Sequence, residues 1–153
     1  MIQNSYYFLS DSLKHHRDLK SSLDQKASFL SGFAGIIFTL SIGRLDEIHF
    51  LVLAISSFLT AIISIFAVFL PLRSKMKKNL SLMCWWGFSN GDFNQYQKRL
   101  YEAFASDKAT GKEYMKEIWN LADYSIKPKT KLLKLASLIL VIGLLAGFIL
   151  FFI

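Results

Sequence analysis

The sequence predicts an all-α membrane protein with three transmembrane helices and a cytoplasmic helical layer, formed by the N-terminal helix and residues 79–130. Its 153 residues are 53% hydrophobic and 15% aromatic, with a mean hydropathy of +0.36, which is more apolar than a typical soluble domain. The apolar residues fall in three runs without Asp, Glu, Lys or Arg, at 27–43, 48–72 and 135–153. Basic residues gather at the edges of these runs, as they do beside membrane spans.

The lengths of the three runs favour membrane spans. The third has nineteen residues and would be about 28 Å long as a helix, against a hydrocarbon core of about 30 Å. The second can cross with some tilt, and the shorter first run is flanked by Lys26 and Arg44, whose side chains can reach the interfaces. A signal peptide would start nearer the N-terminus and end in a cleavage site. A soluble bundle would have to cover three apolar helices with one small domain.

Residues 1–26 predict an amphipathic cytoplasmic helix. No Gly or Pro interrupts residues 2–31, so this helix is expected to continue into the first span as one rod. Residues 44–47 form an external turn, and a connection this short makes the first two spans an antiparallel hairpin. The apolar stripe of the N-terminal helix follows a spacing of three and four residues: Leu9, Leu13, His16, Leu19 and Leu23.

Small residues recur every four positions in the first span, and the third span contains Gly143 and Gly147 in a G-x-x-x-G motif. Such positions let membrane helices approach closely. Two interpretations remain open, helix packing within one protomer and oligomerisation between protomers. The small residues of the first span are Ala27, Ser31, Gly35, Thr39 and Gly43.

Residues 73–134 are predicted to be cytoplasmic. The net charge is +7, and the positive-inside rule places this segment and the N-terminus inside, with the C-terminus outside. Topology and attraction to anionic lipid explain the charge, so no nucleic-acid partner is expected. The flanking basic residues are Arg73, Lys75, Lys77 and Lys78 after the second span and Lys127, Lys129, Lys131 and Lys134 before the third.

Within this segment, Trp85 and Trp86 lie beside the basic run and indicate either an interfacial anchor, packing against the N-terminal rod, or a surface for stacking a base. Residues 110–113, Thr-Gly-Lys-Glu, predict a capping box that opens a helix. Pro128 is expected to kink or break that helix before the third span.

A charged pair precedes the first span. Asp24 and Lys26 are two residues apart, so they do not share a helix face. Lys26 is positioned to reach a phosphate or a carboxylate of a neighbouring helix, with Glu117 and Asp123 as candidates. The alternative is a lysine that reaches the interface beside a solvated aspartate.

No pattern for catalysis, a metal or a cofactor stands out, and we expect a protein that is not an enzyme. Cys84 is the single cysteine, which excludes a disulfide within the chain. His15 and His16 are adjacent and point to different sides of a helix. The stretch GFSNG lacks the Lys-Ser/Thr of a phosphate loop.

Four segments resemble the Pycsar system effector family of small prokaryotic membrane proteins, over roughly residues 20–153. They are the DQKASFLSGFAGIIF start of the first span, NLSLMCWWGFSNGDFNQYQKRL, YMKEIWNLADYSI, and the closing span KTKLLKLASLILVIGLLAGFILFF. Their order and spacing carry the resemblance more than any single motif. Pro128, Thr130 and Glu117 depart from the family's usual residues.

The resemblance implies an antiphage effector that responds to cyclic CMP or cyclic UMP, made by a pyrimidine nucleotide cyclase, by impairing the inner membrane in abortive infection. Such a ligand carries one negative charge and a flat base, which basic and aromatic residues suit. A shift from a quiet packing to a leaky oligomer would then follow binding, and replacing Gly35 or Gly143 with Leu would block toxicity. The candidate ligand-binding residues are Lys26, Trp85, Trp86, Arg99, Lys129 and Lys131.

Two other classes of protein remain open. A ligand-independent pore-forming toxin or holin-like protein would kill on expression alone. A membrane anchor or sensor subunit would act only with its protein partner. A transporter is disfavoured because the spans carry no acidic or basic residue near their middles.

Overall fold

The computed structural model describes residues 2–69 and 93–153, and every regular element in this part of the chain is helical. Two long helices come first and three follow, the last two being joined by the π-helical segment Leu121–Ile126. The elements are α1 (Ile2–Ile42), α2 (Ile48–Phe69), α3 (Phe93–Phe104), α4 (Asp107–Asn120) and α5 (Lys127–Phe151).

Three helical stretches are long and apolar enough to cross a membrane: Tyr7–Ile42, Ile48–Phe69 and Asp107–Phe151. The all-α fold with three membrane-length helices is therefore confirmed. Helix α1 is uninterrupted over 41 residues, which agrees with the absence of Gly and Pro before residue 32. The connection to α2 is a tight turn in which the Arg44 amide donates to the Ser41 carbonyl at 3.2 Å.

The chain divides into two compact units. The bundle unit comprises Ser22–Pro71 and Pro128–Ile153, and the short-helix unit comprises Met1–Ser21 and Leu72–Lys127. The bundle unit contains the membrane portions of α1, α2 and α5. The short-helix unit contains α3, α4 and the N-terminal half of α1, where a Cβ added to Gly111 would lie 3.7 Å from a methyl group of Leu9. Helix α4 and the start of α1 are thus in van der Waals reach within this unit.

The predicted capping box at residues 110–113 is wrong. Helix α4 begins at Asp107, and the N-cap is Ser106, whose hydroxyl accepts a hydrogen bond from the Ala109 amide at 3.2 Å. Asp107 adds a negative charge in the first turn, where the helix dipole favours it. Thr110 lies inside the helix, and its hydroxyl donates to the Ala103 carbonyl at 2.9 Å.

Helix continues through Pro128, so of the two expected effects, a kink or a break, the break is wrong and the kink stays a prediction. A proline in a regular α-helix clashes with the carbonyl four residues earlier and lacks the amide that would bond to it. The six residues Leu121–Ile126 adopt π-helical geometry directly before it, and the Lys127 amide donates to the Ala122 carbonyl five residues earlier. The wider π turn supplies room for the proline ring, so helix continues on both sides of it.

Candidate functional site at the charged end of the helix bundle

The bundle unit has an up-down-up arrangement of α1, α2 and α5. Near one end, His49 of α2 packs edge-on against Phe151 of α5, with ring centroids 5.4 Å apart. Farther along, the Thr60 hydroxyl of α2 donates to the Ala136 carbonyl of α5 at 3.3 Å. Residue numbers rise along α2 as they fall along α5, so the two helices are antiparallel. At the other end, Asp24 of α1 meets Lys129 of α5, so α1 and α5 enter the bundle side by side.

Buried positions in the bundle follow coiled-coil spacing. In α5 they alternate between intervals of four and three residues, and in α1 they recur every seven, as expected for a left-handed helix bundle. The α5 positions are Lys129, Leu133, Ala136, Leu140, Gly143 and Gly147, and those of α1 are Ala27, Ala34 and Ser41, with Leu23 buried one turn before Ala27.

The glycines of α5 pack against α2. A Cβ at Gly143 would overlap the side chain of Ser56, and one at Gly147 would lie 2.8 Å from a carbon of Leu53. Both positions therefore need glycine for the approach of these two helices. For α5, the structure places the small residues in packing within one protomer.

The small residues of α1 behave differently. Ala27 is buried, but Thr39 and Gly43 are exposed, and a Cβ at Gly35 or Gly43 would meet nothing within 4 Å. The small residues of α1 do not stay on one side of the helix because, with 3.6 residues per turn, each four-residue interval advances about 40° past a full turn. Five positions at this interval, from Ala27 through the half-buried Ser31 to Gly43, therefore wind about 160° around the helix.

Within the protomer, the core-facing line of α1 is instead the seven-residue series of Ala27, Ala34 and Ser41. Seven residues fall only about 20° short of two turns, so these positions stay on one side. Whether the outward-facing positions around Gly35 meet a second protomer stays a prediction.

An ion pair between α1 and α5 marks the charged end of the bundle. The Lys129 ammonium donates to the Asp24 carboxylate; the Lys129 side chain is 3% exposed and that of Asp24 is 35% exposed. A lysine this deeply buried requires a negative partner, because an unpaired ammonium in an apolar surrounding is very costly. The expectation of a solvated Asp24 is therefore wrong, since the carboxylate neutralises a buried cation.

Neither carboxylate proposed as a partner for Lys26 forms an ion pair with it in the part of the chain that the structure describes. Asp123 pairs with Lys127, one turn later, at 2.9 Å. Glu117 is buried, with 5% exposure, and takes part in other interactions. Lys26 is exposed and forms no ion pair among residues 2–69 and 93–153.

Lys26 instead lines a groove of about 830 Å³ between α1 and α5. Lys134 faces the groove from α5, and polar side chains of Ser22, Gln25 and Thr130 lie at the same end. The other end is walled mainly by apolar side chains, which are Phe29, Leu30, Leu138 and Val141. The groove therefore has a cationic end and an apolar end. The cationic end is formed by residues that follow Asp24 on α1 and Lys129 on α5, and the apolar end lies within the spans.

The predicted ligand-binding residues do not form one cluster. Lys26 lines the groove, Lys129 is engaged with Asp24, and Lys131 is exposed on α5. Arg99 is exposed on α3, in the short-helix unit, and has an interaction partner. Trp85 and Trp86 lie outside the described residues.

Sequence reasoning missed an exposed aromatic–cation pair in the short-helix unit. Trp119 is 63% exposed, and the Lys127 ammonium lies 5.9 Å from its ring centroid, within the range of a cation–π contact. Asp123 bonds to the same ammonium at 2.9 Å. The signal was present in the sequence as Trp, Asp and Lys at positions i, i+4 and i+8, a spacing that places all three near one helix face.

The buried face of α2 consists of small and hydroxyl-bearing residues. Ser57, Thr60 and Ser64 have no measurable exposure. The Ser57 hydroxyl donates to the Leu53 carbonyl at 2.6 Å and the Thr60 hydroxyl to the Ser56 carbonyl at 2.8 Å. These bonds return to the backbone of the same helix and satisfy the Ser57 and Thr60 hydroxyls without a partner helix, whereas the buried Ser64 hydroxyl has no hydrogen-bond partner among the described residues.

The fold and its charged end define a polytopic helical membrane protein. Among the residues that the structure describes, no group of three His, Cys, Asp or Glu side chains could hold a metal ion. The family model described as PycTM, Pycsar effector protein domain, matches residues 8–153. The chain therefore belongs to the Pycsar effector family, as the resemblance of its segments predicted, and this membership assigns it an effector role in Pycsar antiphage defence. No curated protein and no solved structure matches the chain.

Proposed function

We propose that this chain is a non-enzymatic effector that impairs the inner membrane when cyclic CMP or cyclic UMP accumulates, and thereby causes abortive infection. The observation that carries the proposal is the family match over residues 8–153 of a chain with three membrane-length helices. A pyrimidine nucleotide cyclase is the functional partner, and the lipid bilayer is the target. The basic segments around the spans favour a cytoplasmic N-terminus and an external C-terminus.

The exposed Trp119 ring supports recognition of the nucleotide in the short-helix unit. The exposed indole ring offers a stacking surface for a pyrimidine, whereas the Lys127 ammonium beside it is already paired with Asp123, so the support comes from the ring. Stacking of a base on an aromatic side chain contributes about 1–3 kcal/mol. In the same unit, the buried Asn120 amide nitrogen and Ser125 hydroxyl have no hydrogen-bond partner among the described residues, and buried polar atoms of this kind usually acquire one.

Binding would change membrane permeability by shifting the chain between two packings. The bundle holds its own α2–α5 contact through Gly143, whereas the α1 surface around Gly35 is open. A ligand can shift such an equilibrium only by its difference in affinity for the two states. We propose that the oligomer contact lies on α1 and that the nucleotide is recognised in the short-helix unit.

The test is dye entry and membrane potential in cells that express the chain alone, with a cyclic CMP cyclase, or with a cyclic UMP cyclase. Catalytically dead cyclases serve as controls. Leakage with one active cyclase supports the proposal and identifies the signal. Leakage without any cyclase contradicts it and favours a ligand-independent pore-forming toxin or holin-like protein. Absence of leakage in every condition contradicts it as well and favours an anchor or sensor subunit.

A substitution of Trp119 tests whether the short-helix unit recognises the nucleotide. Trp119→Ala should raise the cyclic-nucleotide level needed for half-maximal leakage by about tenfold, because one stacking contact is lost. Met115→Ala is the matched control, since Met115 is exposed one turn earlier on the same helix and lies away from Lys127 in sequence. Equal responses of the two variants would contradict a role for Trp119.

A further inference from the structure

We infer that the groove between α1 and α5 is a binding site for one anionic phospholipid. This inference concerns the resting protein in its bilayer and does not depend on the nucleotide response. It is drawn from the shape of the groove, the sign of its charges, and the order in which polar and apolar side chains line it.

The charge of the groove selects an anionic occupant. Lys26 and Lys134 are both exposed, one from each wall, and no acidic side chain is among the described lining residues. Asp24, which is close to Lys26 in sequence, does not cancel this charge because it is bound to Lys129. These two cations have no ion-pair partner among residues 2–69 and 93–153, and at the edge of a membrane each attracts an anionic headgroup by about 1 kcal/mol.

The arrangement of cationic and apolar side chains along the groove favours a lipid over a soluble phosphate compound. The two lysines lie toward the end where α1 and α5 enter the bundle, and the apolar Phe29 and Leu138 follow them by about one helical turn on their helices. A phosphodiester headgroup would meet Lys26 and Lys134 while an acyl chain follows Phe29 and Leu138. The ribose hydroxyls of a nucleotide would find few partners on those walls, and burying them without hydrogen bonds is unfavourable. At about 830 Å³, the groove has room for a headgroup and part of one chain.

The groove also explains an unusual asymmetry at this end of the bundle. Lys129 is 3% exposed and neutralised by Asp24, whereas Lys134, five residues later on the same helix, is exposed. The first lysine joins α1 to α5, and the second remains available to a ligand. An anionic lipid seated there would bind both walls at once and would stabilise the α1–α5 contact by mass action.

The experiment measures lipid binding to the full chain. Protein purified in a neutral detergent is titrated with phosphatidylglycerol or phosphatidylcholine, and bound lipid is counted by native mass spectrometry. We expect phosphatidylglycerol to bind at least about tenfold more tightly. The double variant Lys26→Gln/Lys134→Gln should raise the apparent Kd for phosphatidylglycerol about 30-fold and change that for phosphatidylcholine little.

Two further variants separate the groove from general surface charge. Lys131→Gln removes an exposed charge from the same helix outside the groove and should leave binding within about twofold of the wild type. Ser137→Trp fills the groove without changing any charge and should weaken phosphatidylglycerol binding even though both lysines remain.

Three results would overturn the inference. One is equal affinity for the two lipids, and another is a Lys131→Gln loss as large as that of the double variant. The third is complete displacement of the lipid by millimolar inorganic phosphate, which would reassign the lysines to a free anion.

Discussion

Helices α1 and α5 carry similar spacings of small residues but use them in different ways. In α5, Gly143 and Gly147 sit against α2 so closely that a Cβ would meet Ser56 or Leu53. In α1, a Cβ added to Gly35 or Gly43 would have no neighbouring atom within 4 Å. Both helices nevertheless enter the bundle at the same end and are joined there by an ion pair.

A four-residue spacing of small residues therefore does not by itself identify a packing surface. Two glycines four apart span only about 40° and stay within one contact, whereas five small residues at that spacing wind about 160° around the helix. A contact line in a left-handed bundle needs alternating intervals of three and four. The α5 glycines fit that alternation because Leu140 lies between them and Ala136.

The largest expected effect comes from the ion pair that joins the two helices. Asp24→Asn should reduce the free energy of unfolding by about 3–5 kcal/mol, because it leaves the buried Lys129 charge without a negative partner. Lys129→Met should cost less than about 2 kcal/mol, since the remaining Asp24 is one-third exposed and can be hydrated. Unfolding by SDS in mixed micelles, followed by circular dichroism, measures both. Equal losses of stability in Asp24→Asn and Lys129→Met would contradict the argument that the buried lysine depends on its partner more than the exposed aspartate does.

The second-largest loss of stability is expected at the contact between α5 and α2. Gly143→Leu should lower the free energy of unfolding by about 3 kcal/mol, because the new side chain must displace Ser56 and separate α5 from α2. The same SDS titration measures the loss. A variant as stable as the wild type would show that this helix contact is not held by glycine.

A smaller loss of stability is expected at Gly147, the second glycine in the contact between α5 and α2. Gly147→Ala should cost about 1 kcal/mol, since the atoms nearest to the new Cβ, 2.8–3.3 Å away, belong to the flexible end of Leu53. The double variant Gly147→Ala/Leu53→Ala should show a coupling energy between the two positions in a double-mutant cycle. Strictly additive losses would place the cost elsewhere.

The smallest effect on stability is expected on α1. Gly35→Leu should change the free energy of unfolding by less than about 0.5 kcal/mol, because the position is open in the protomer. Under the proposed oligomer contact it should still suppress cyclase-dependent dye entry. Gly32→Leu, also on open surface, is the control for added bulk. Full leakage from Gly35→Leu would exclude this surface from the active assembly.

Much of the fold was predictable because hydrophobic run length is a strong signal in a membrane protein. Every backbone polar group in the hydrocarbon must be satisfied internally, so three long apolar runs leave helices as the natural solution. The uninterrupted α1 followed from the absence of Gly and Pro before residue 32. The start of α4 was missed because Ser106 and Thr110 are both acceptable caps, and only the backbone geometry shows which hydroxyl accepts the bond.

The site was less predictable because its residues are far apart in sequence. Asp24 and Lys129 are separated by 105 positions, and no local pattern identifies which lysine of the basic segment is buried. Lys26 and Lys134 come together only because α1 and α5 run side by side. The break expected at Pro128 was wrong because nothing in the local sequence signals the π turn that leaves room for the proline ring.

The hydroxyl bonds of α2 have a consequence for motion within the bilayer. Ser57 and Thr60 donate to carbonyls of their own helix, so these polar groups keep those partners when the helix turns or slides. Only the longer bond from Thr60 to Ala136, at 3.3 Å, would be exchanged by such a displacement. A span built in this way meets little resistance from its own polar groups when it changes neighbours in lipid. Rotation or sliding of α2 would therefore leave the Ser57 and Thr60 bonds to their own helix intact.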